Sequence, residues 1–104
     1  MEYTIQDPGP LCRVMLRGAF TFSDNRSFRS LMRLLNQAPQ SIELAIELDF
    51  SGVDFVDSDA LGMLLQLRDQ ADMQSVPVIL RQPAGQVQEM FKLSKFDQLF
   101  SITP

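Results

Sequence analysis

The sequence predicts an α/β fold: a mixed β-sheet with helices packed mainly on one side, in the order β-β-α-β-α-β-α-β. Three observations carry this reading. Apolar residues alternate with a period of two in some stretches and recur every three to four residues in others. The two kinds of stretch take turns after an early pair of strands, the pattern of helices covering a sheet. Pro, Gly and short polar clusters mark the boundaries between them. With 104 residues and no internal repeat or linker, residues 1–104 read as a single domain.

Each element has its own signal. Tyr3–Gln6 and Leu11–Leu16 flank the turn cluster Asp7-Pro8-Gly9-Pro10 and read as a hairpin. Gly18 follows, then the alternating Ala19-Phe20-Thr21-Phe22. Ser23-Asp24-Asn25 is an N-cap cluster, since short polar side chains can accept the free N–H groups of a first turn. Phe28, Leu31, Met32 and Leu35 then form one face of an amphipathic helix, and Arg26, Arg29 and Arg33 lie opposite. The arginines read as a solvated face, with a docking stripe for an acidic partner as the alternative. Pro39 ends the helical region.

In Ile42–Phe50, the apolar Ile42, Leu44, Ile46 and Leu48 alternate with Glu43, Ala45, Glu47 and Asp49, which predicts a strand with one apolar face. Ser51-Gly52 is expected to turn the chain before the short segment Val53–Val56. A second helix is expected from about Ala60 to Met73, with an acidic start that suits the helix dipole. Val76–Leu80 reads as a strand, with Pro77 tolerated near its start. Gly85–Leu93 is a third helix, with Val87, Met90 and Phe91 on one side, and Leu99–Ile102 is a last strand.

Composition removes several functions. The chain has no His, so triads, His phosphorelay and imidazole metal sites are unavailable. Its one cysteine, Cys12, lies in an apolar run and reads as a buried structural thiol, which fits a reducing, cytoplasmic setting. The net charge of −4 disfavours direct binding to nucleic acid or anionic membrane. Residues 1–6 lack a basic start and an apolar core, so no signal peptide is expected. No apolar run approaches the ~20 residues that span a bilayer, so no direct membrane insertion is expected.

Polar groups concentrate at Asp49, Asp54, Asp57, Ser58 and Asp59, between a strand end and a helix start. Such connections commonly carry function in α/β folds. Four readings compete. Asp57, Ser58 or Asp59 could simply cap the helix. The carboxylates could hold a divalent cation, but the spacing lacks the glycine and terminal glutamate of an EF-hand loop. An aspartyl phosphoacceptor is excluded, because Asp7 is followed by Pro8-Gly9-Pro10 and no Lys lies beyond Lys95. Finally, Ser58 could be phosphorylated where a helix begins, adding about −1.5 to −2 charge beside Asp57 and Asp59.

The stretch from Leu48 to Gly62, with Ser51-Gly52-Val53-Asp54-Phe55-Val56 followed by Asp57-Ser58-Asp59-Ala60-Leu61-Gly62, resembles the signature of STAS domains. In particular it resembles the bacterial anti-sigma factor antagonists. Leu16-Arg17-Gly18, Phe20-Thr21-Phe22-Ser23-Asp24 and the closing segment from Phe91 to Phe100 extend the likeness along the chain. The resemblance implies a STAS-like fold, a regulatory binding module that is not an enzyme, and Ser58 as phosphoacceptor. It implies an anti-sigma factor that is also a serine kinase as partner, with a PP2C-type phosphatase restoring the binding form. Unphosphorylated protein would bind the anti-sigma factor and free a sigma factor. The implied partner-binding residues are Asp57, Asp59, Ala60 and Leu61 at the helix start and Thr21 and Ser23 on the loop after the second strand. Leu61 and Met63 are further candidates for apolar contacts at the rim, with burial in the core the expected fate of each, and Gly18 and Gly62 read as backbone requirements. Asp59 stands where the family usually has Ser or Thr, and is expected to discriminate among kinases. Ala60 stands where Gly is usual, and is expected to firm the first turn and narrow a partner's approach. No cofactor or metal is implied. The rival within the family is a STAS subunit of a membrane lipid or anion transport assembly that docks on an ATPase.

Overall fold

Strands come first because their register decides where the helices go. In the computed structural model, β1 (Glu2–Gln6) pairs antiparallel with β2 (Leu11–Phe20). Three parallel neighbours follow in chain order: β3 (Ala45–Val56), β4 (Val78–Arg81) and β5 (Ser101–Thr103). The five-stranded sheet therefore has the simple order β1-β2-β3-β4-β5. Each parallel step crosses over through one helix: α1 (Asn25–Gln37), α2 (Ser58–Asp72) and α3 (Gly85–Leu93). Right-handed crossovers that all advance in one direction place every helix on the same face. Short 3-10 helices at Phe22–Asp24 and Phe96–Gln98 precede α1 and β5. The described residues are 1–6, 11–37 and 45–104; the expected turn at Asp7-Pro8-Gly9-Pro10, the helix end at Pro39 and the strand positions Ile42, Glu43 and Leu44 lie outside them. Among the described residues no helix is long and apolar enough to cross a membrane.

The core lies between sheet and helices. Ile46, Leu48 and Phe50 of β3 point into it beside Leu31 and Leu35 of α1, Leu64 and Leu67 of α2 and Phe91 of α3. Phe20 stacks on Phe28 at 5.1 Å between centroids, tying the end of β2 to α1. Phe50 meets Phe91 edge-on at 5.3 Å, and the ring chain continues through Phe96 to Phe100. Aromatic pairs of this geometry add to plain area burial. Cys12 is buried in this core, as expected.

Three expectations need correction. Ser51-Gly52 does not turn the chain, since β3 runs through it as one strand. The ladder to β2 is irregular there, and Gly18 of β2 sits at φ +85°. A Cβ on Gly52 would stand 2.9 Å from the Leu16 carbonyl oxygen, so close approach of β2 is what requires a glycine. Glu47 and Asp49 are buried although they face away from the helices. Register brings Arg13 opposite Glu47, where they form an ion pair, and Arg81 opposite Asp49 at 3.9 Å. The arginine side chains cover the acids from neighbouring strands. Ser23-Asp24-Asn25 is not a plain N-cap: the chain is already helical from Phe22, and the buried Asp24 reaches back to accept the Thr21 N–H at 2.8 Å. The last strand starts at Ser101, because Phe96–Gln98 is helical and the Phe100 N–H bonds back to the Phe96 carbonyl.

Candidate functional site

β3 extends beyond its last pair with β4, Asp49–Arg81, while β2 stays paired with it as far as Phe20–Val56. The ends of these two strands therefore project together past the sheet edge. Backbone groups freed there still need partners. Gln86 of α3 supplies them for Val56: the Val56 N–H donates to Gln86 Oε1 at 2.9 Å, and Gln86 Nε2 donates to the Val56 carbonyl at 2.8 Å. One side-chain amide thus replaces a missing strand.

Asp57 comes next and organises the site. It is the N-cap of α2, its Oδ1 accepting the Ala60 N–H at 2.8 Å. Its Oδ2 accepts the Phe22 N–H at 3.0 Å. A single carboxylate therefore joins the start of α2 to the 3-10 turn after β2. The two segments that the family resemblance singled out are adjacent for this reason. Because Asp57 takes the cap, Ser58 does not. Ser58 is the first residue of α2, is exposed, and its hydroxyl has no hydrogen-bond partner among the described residues.

A cleft of about 220 Å³ opens between the first turns of α1 and α2. Phe22, Asn25 and Arg29 form one wall, and Ser58, Asp59 and Gly62 the other. Met63 and Gln66 also line it. Phe22 is 65% exposed, a large apolar side chain left at the rim. Arg29 and Asp59 share the cleft without forming an ion pair.

The expected contact residues divide into two groups. Asp59 is exposed beside Ser58, and Ser23 is exposed on the adjoining turn, where its hydroxyl lies 2.9 Å from Thr21 Oγ1. Asp57 and Thr21 are half-buried and spend their polar groups on local structure. Ala60 and Leu61 are buried, and their side chains belong to the core. Helical periodicity turns 60, 61 and 64 toward the sheet and leaves 58, 59, 62 and 66 facing outward. Met63 is also buried, though it reaches the cleft. Gly62 needs no special backbone angle, and an added Cβ would meet nothing within 4 Å.

The acidic cluster disperses. Asp49 and Asp54 lie within β3, and Asp49 is engaged by Arg81 and by the Ser51 N–H at 2.8 Å. Among the described residues no group of three or more metal-ligating side chains comes together. Two contributors escaped sequence reasoning. Phe22 read as the last apolar residue of an alternating strand, and its position next to a polar cluster was the available signal. Gln86 carried no signal, because its role depends on where α3 docks.

The family model described as "Mlab, STAS domain" matches residues 4–103. A STAS-domain containing protein of Pseudomonas aeruginosa is 30% identical over 90 residues, covering 86% of this chain and 85% of the relative. Among solved structures, the anti-sigma factor antagonist SpoIIAA superimposes in its unphosphorylated form with a TM-score of 0.71 at 15% identity, covering 99% of this chain and 87% of that one. The phosphorylated form of Bacillus SpoIIAA gives 0.72 at 15% identity, covering 99% and 92%. The murine anion transporter Slc26a9 gives 0.80 at 22% identity, covering 95% of this chain and 17% of that one. At these identities the solved structures show a shared fold. The family match over nearly the whole length and the relative from Pseudomonas go further: this chain belongs to the STAS domain family.

Proposed function

We propose that the chain is an anti-sigma factor antagonist that switches its partner through Ser58. Unphosphorylated, the surface formed by Phe22, Ser23, Ser58 and Asp59 binds an anti-sigma factor that is also a serine kinase, and a sigma factor is freed. Thr21 and Asp57 hold that surface in shape. The observation that carries the reading is the Ser58 hydroxyl, exposed at a helix start and released from capping duty by Asp57. The kinase would direct Ser58 Oγ onto the γ-phosphorus of ATP. The hydroxyl proton would pass to a base of the kinase, and ADP would leave. The phosphate adds about −1.5 to −2 charge beside Asp57 and Asp59. An interface that must dry out around that charge loses more in desolvation than it recovers. Hydrolysis by a PP2C-type phosphatase restores the hydroxyl. Residues 1–104 act here as one STAS domain, in a cytoplasm that keeps Cys12 reduced.

A second reading is a constitutive subunit that docks on the ATPase of a membrane lipid or anion transport assembly. The fold shared with an anion transporter favours it, and it needs no phosphate.

The test is capture from lysate of the source cells with wild-type, Ser58→Ala and Ser58→Glu baits, followed by mass spectrometry. The switch predicts a kinase-like partner on the first two baits and its loss from Ser58→Glu. The same ATPase on all three baits would overturn the switch in favour of the transport subunit.

A further inference from the structure

α1 carries Arg26, Arg29 and Arg33 and no acidic residue. None of the three forms an ion pair among the described residues, in a chain whose net charge is −4. They are not equivalent in position. Arg26 and Arg33 line neighbouring grooves, whereas Arg29 also lines the cleft that holds Ser58. The carboxylates around that cleft are engaged or weaker competitors for Arg29. Asp57 is committed to two backbone N–H groups. Asp24 is buried and holds the Met1 ammonium and the Thr21 N–H. Asp59 remains, with a single charge and no ion pair to Arg29.

We propose that Arg29 receives the phosphate of phosphorylated Ser58 across the α1–α2 cleft, a contact within the chain that masks the cleft. This rests on the reading of Ser58 as phosphoacceptor. A guanidinium presents paired N–H donors in a fixed fork that matches two phosphate oxygens. A phosphate offers about twice the charge of Asp59 and three acceptor oxygens, so it outcompetes that carboxylate for the unpaired Arg29. Phosphorylation then acts twice. It places negative charge at the α2 start, and it removes the free cation and the cleft space that a partner would meet in the unphosphorylated form.

The test uses full-length protein with phosphoserine installed at position 58 by genetic-code expansion, so that no cognate kinase is needed. The phosphate is titrated by phosphorus NMR in wild-type, Arg29→Gln and Arg26→Gln backgrounds. The ordinary second pKa of phosphoserine is about 6. The contact predicts a wild-type midpoint roughly half a unit below that of Arg29→Gln, since a nearby cation favours the dianion. Arg26→Gln should titrate like wild type. Equal midpoints for wild type and Arg29→Gln would overturn the contact. So would an equal shift in Arg26→Gln, which would mean a diffuse field instead of a specific pair. Partner capture on the same samples separates the two ideas. Partner release with no Arg29 effect leaves the switch standing and removes the contact. An Arg29 effect with no partner release leaves the contact standing and removes the switch.

Discussion

The two halves of β3 obey different rules. From Ala45 to Phe50 the strand lies between β2 and β4, and Ile46 to Phe50 are buried without a break. Its helix-side residues are apolar, and its outward acids are covered by arginines from the adjoining strands. From Ser51 to Val56 only β2 remains beside it. Asp54 and Phe55 are exposed, and a glutamine side chain takes the place of the absent strand. The first half secures the fold. The second half carries the chain beyond the sheet edge, so that Asp57 can tie two segments together and present Ser58. The same strand supplies a rigid base and a projecting site because its neighbour stops early.

Substitutions in the two halves should separate stability from partner binding. The largest effect is expected in the first half. Phe50 is fully buried and packs edge-on against Phe91. Phe50→Ala should cost about 3–5 kcal/mol in urea denaturation, through lost transfer energy and a residual cavity. A loss under ~1 kcal/mol would mean that α3 closes over the gap and that the half-strand is not the rigid base described.

Gln86→Ala is expected next. It leaves the N–H and carbonyl of Val56 without their partner, which should cost about 1–3 kcal/mol. Hydrogen exchange should show selective loss of protection at the Val56 amide while the Ile46 and Leu48 amides stay protected. Uniform loss of protection along β3 would show that the halves unfold together and would remove the distinction.

The smallest expected change has the opposite sign. Gly62→Ala should stabilise α2 by up to about 1 kcal/mol, because the position is helical and a methyl has open space. The same methyl intrudes on the cleft wall opposite Arg29. Higher melting temperature with weaker partner capture would place the partner in the cleft. Full capture by Gly62→Ala would place it elsewhere.

Legibility in the sequence followed the range of the interaction. The third helix is found where it was expected, Gly85–Leu93, because its boundaries depend on nearby Pro83 and Gly85 and on its own periodicity. The second helix begins at Ser58 and not at Ala60, since the capping residue was one of three local candidates and only the position of the Phe22 N–H singles out Asp57. Alternation in β3 correctly assigned Glu47 and Asp49 to the face away from the helices. It did not reveal that they are buried, which depends on the register with Arg13 and Arg81. Ser51-Gly52 has turn composition, yet the glycine serves close approach to the Leu16 carbonyl from a strand thirty-odd residues away in sequence.

The sequence by itself determined the class of fold, the alternation of strands and helices, the family signature and the placement of Ser58 at a helix start. These depend on periodicity, turn chemistry and capping, all of which act over a few residues. Tertiary structure alone decided that Asp57 is the cap and leaves Ser58 free, that Ala60 and Leu61 belong to the core, that Gln86 completes β3, and that Arg29 shares a cleft with Ser58. Those outcomes depend on sheet register and on how each helix is rotated against the sheet. Both are set by burying many side chains at once, and no single stretch of sequence contains them.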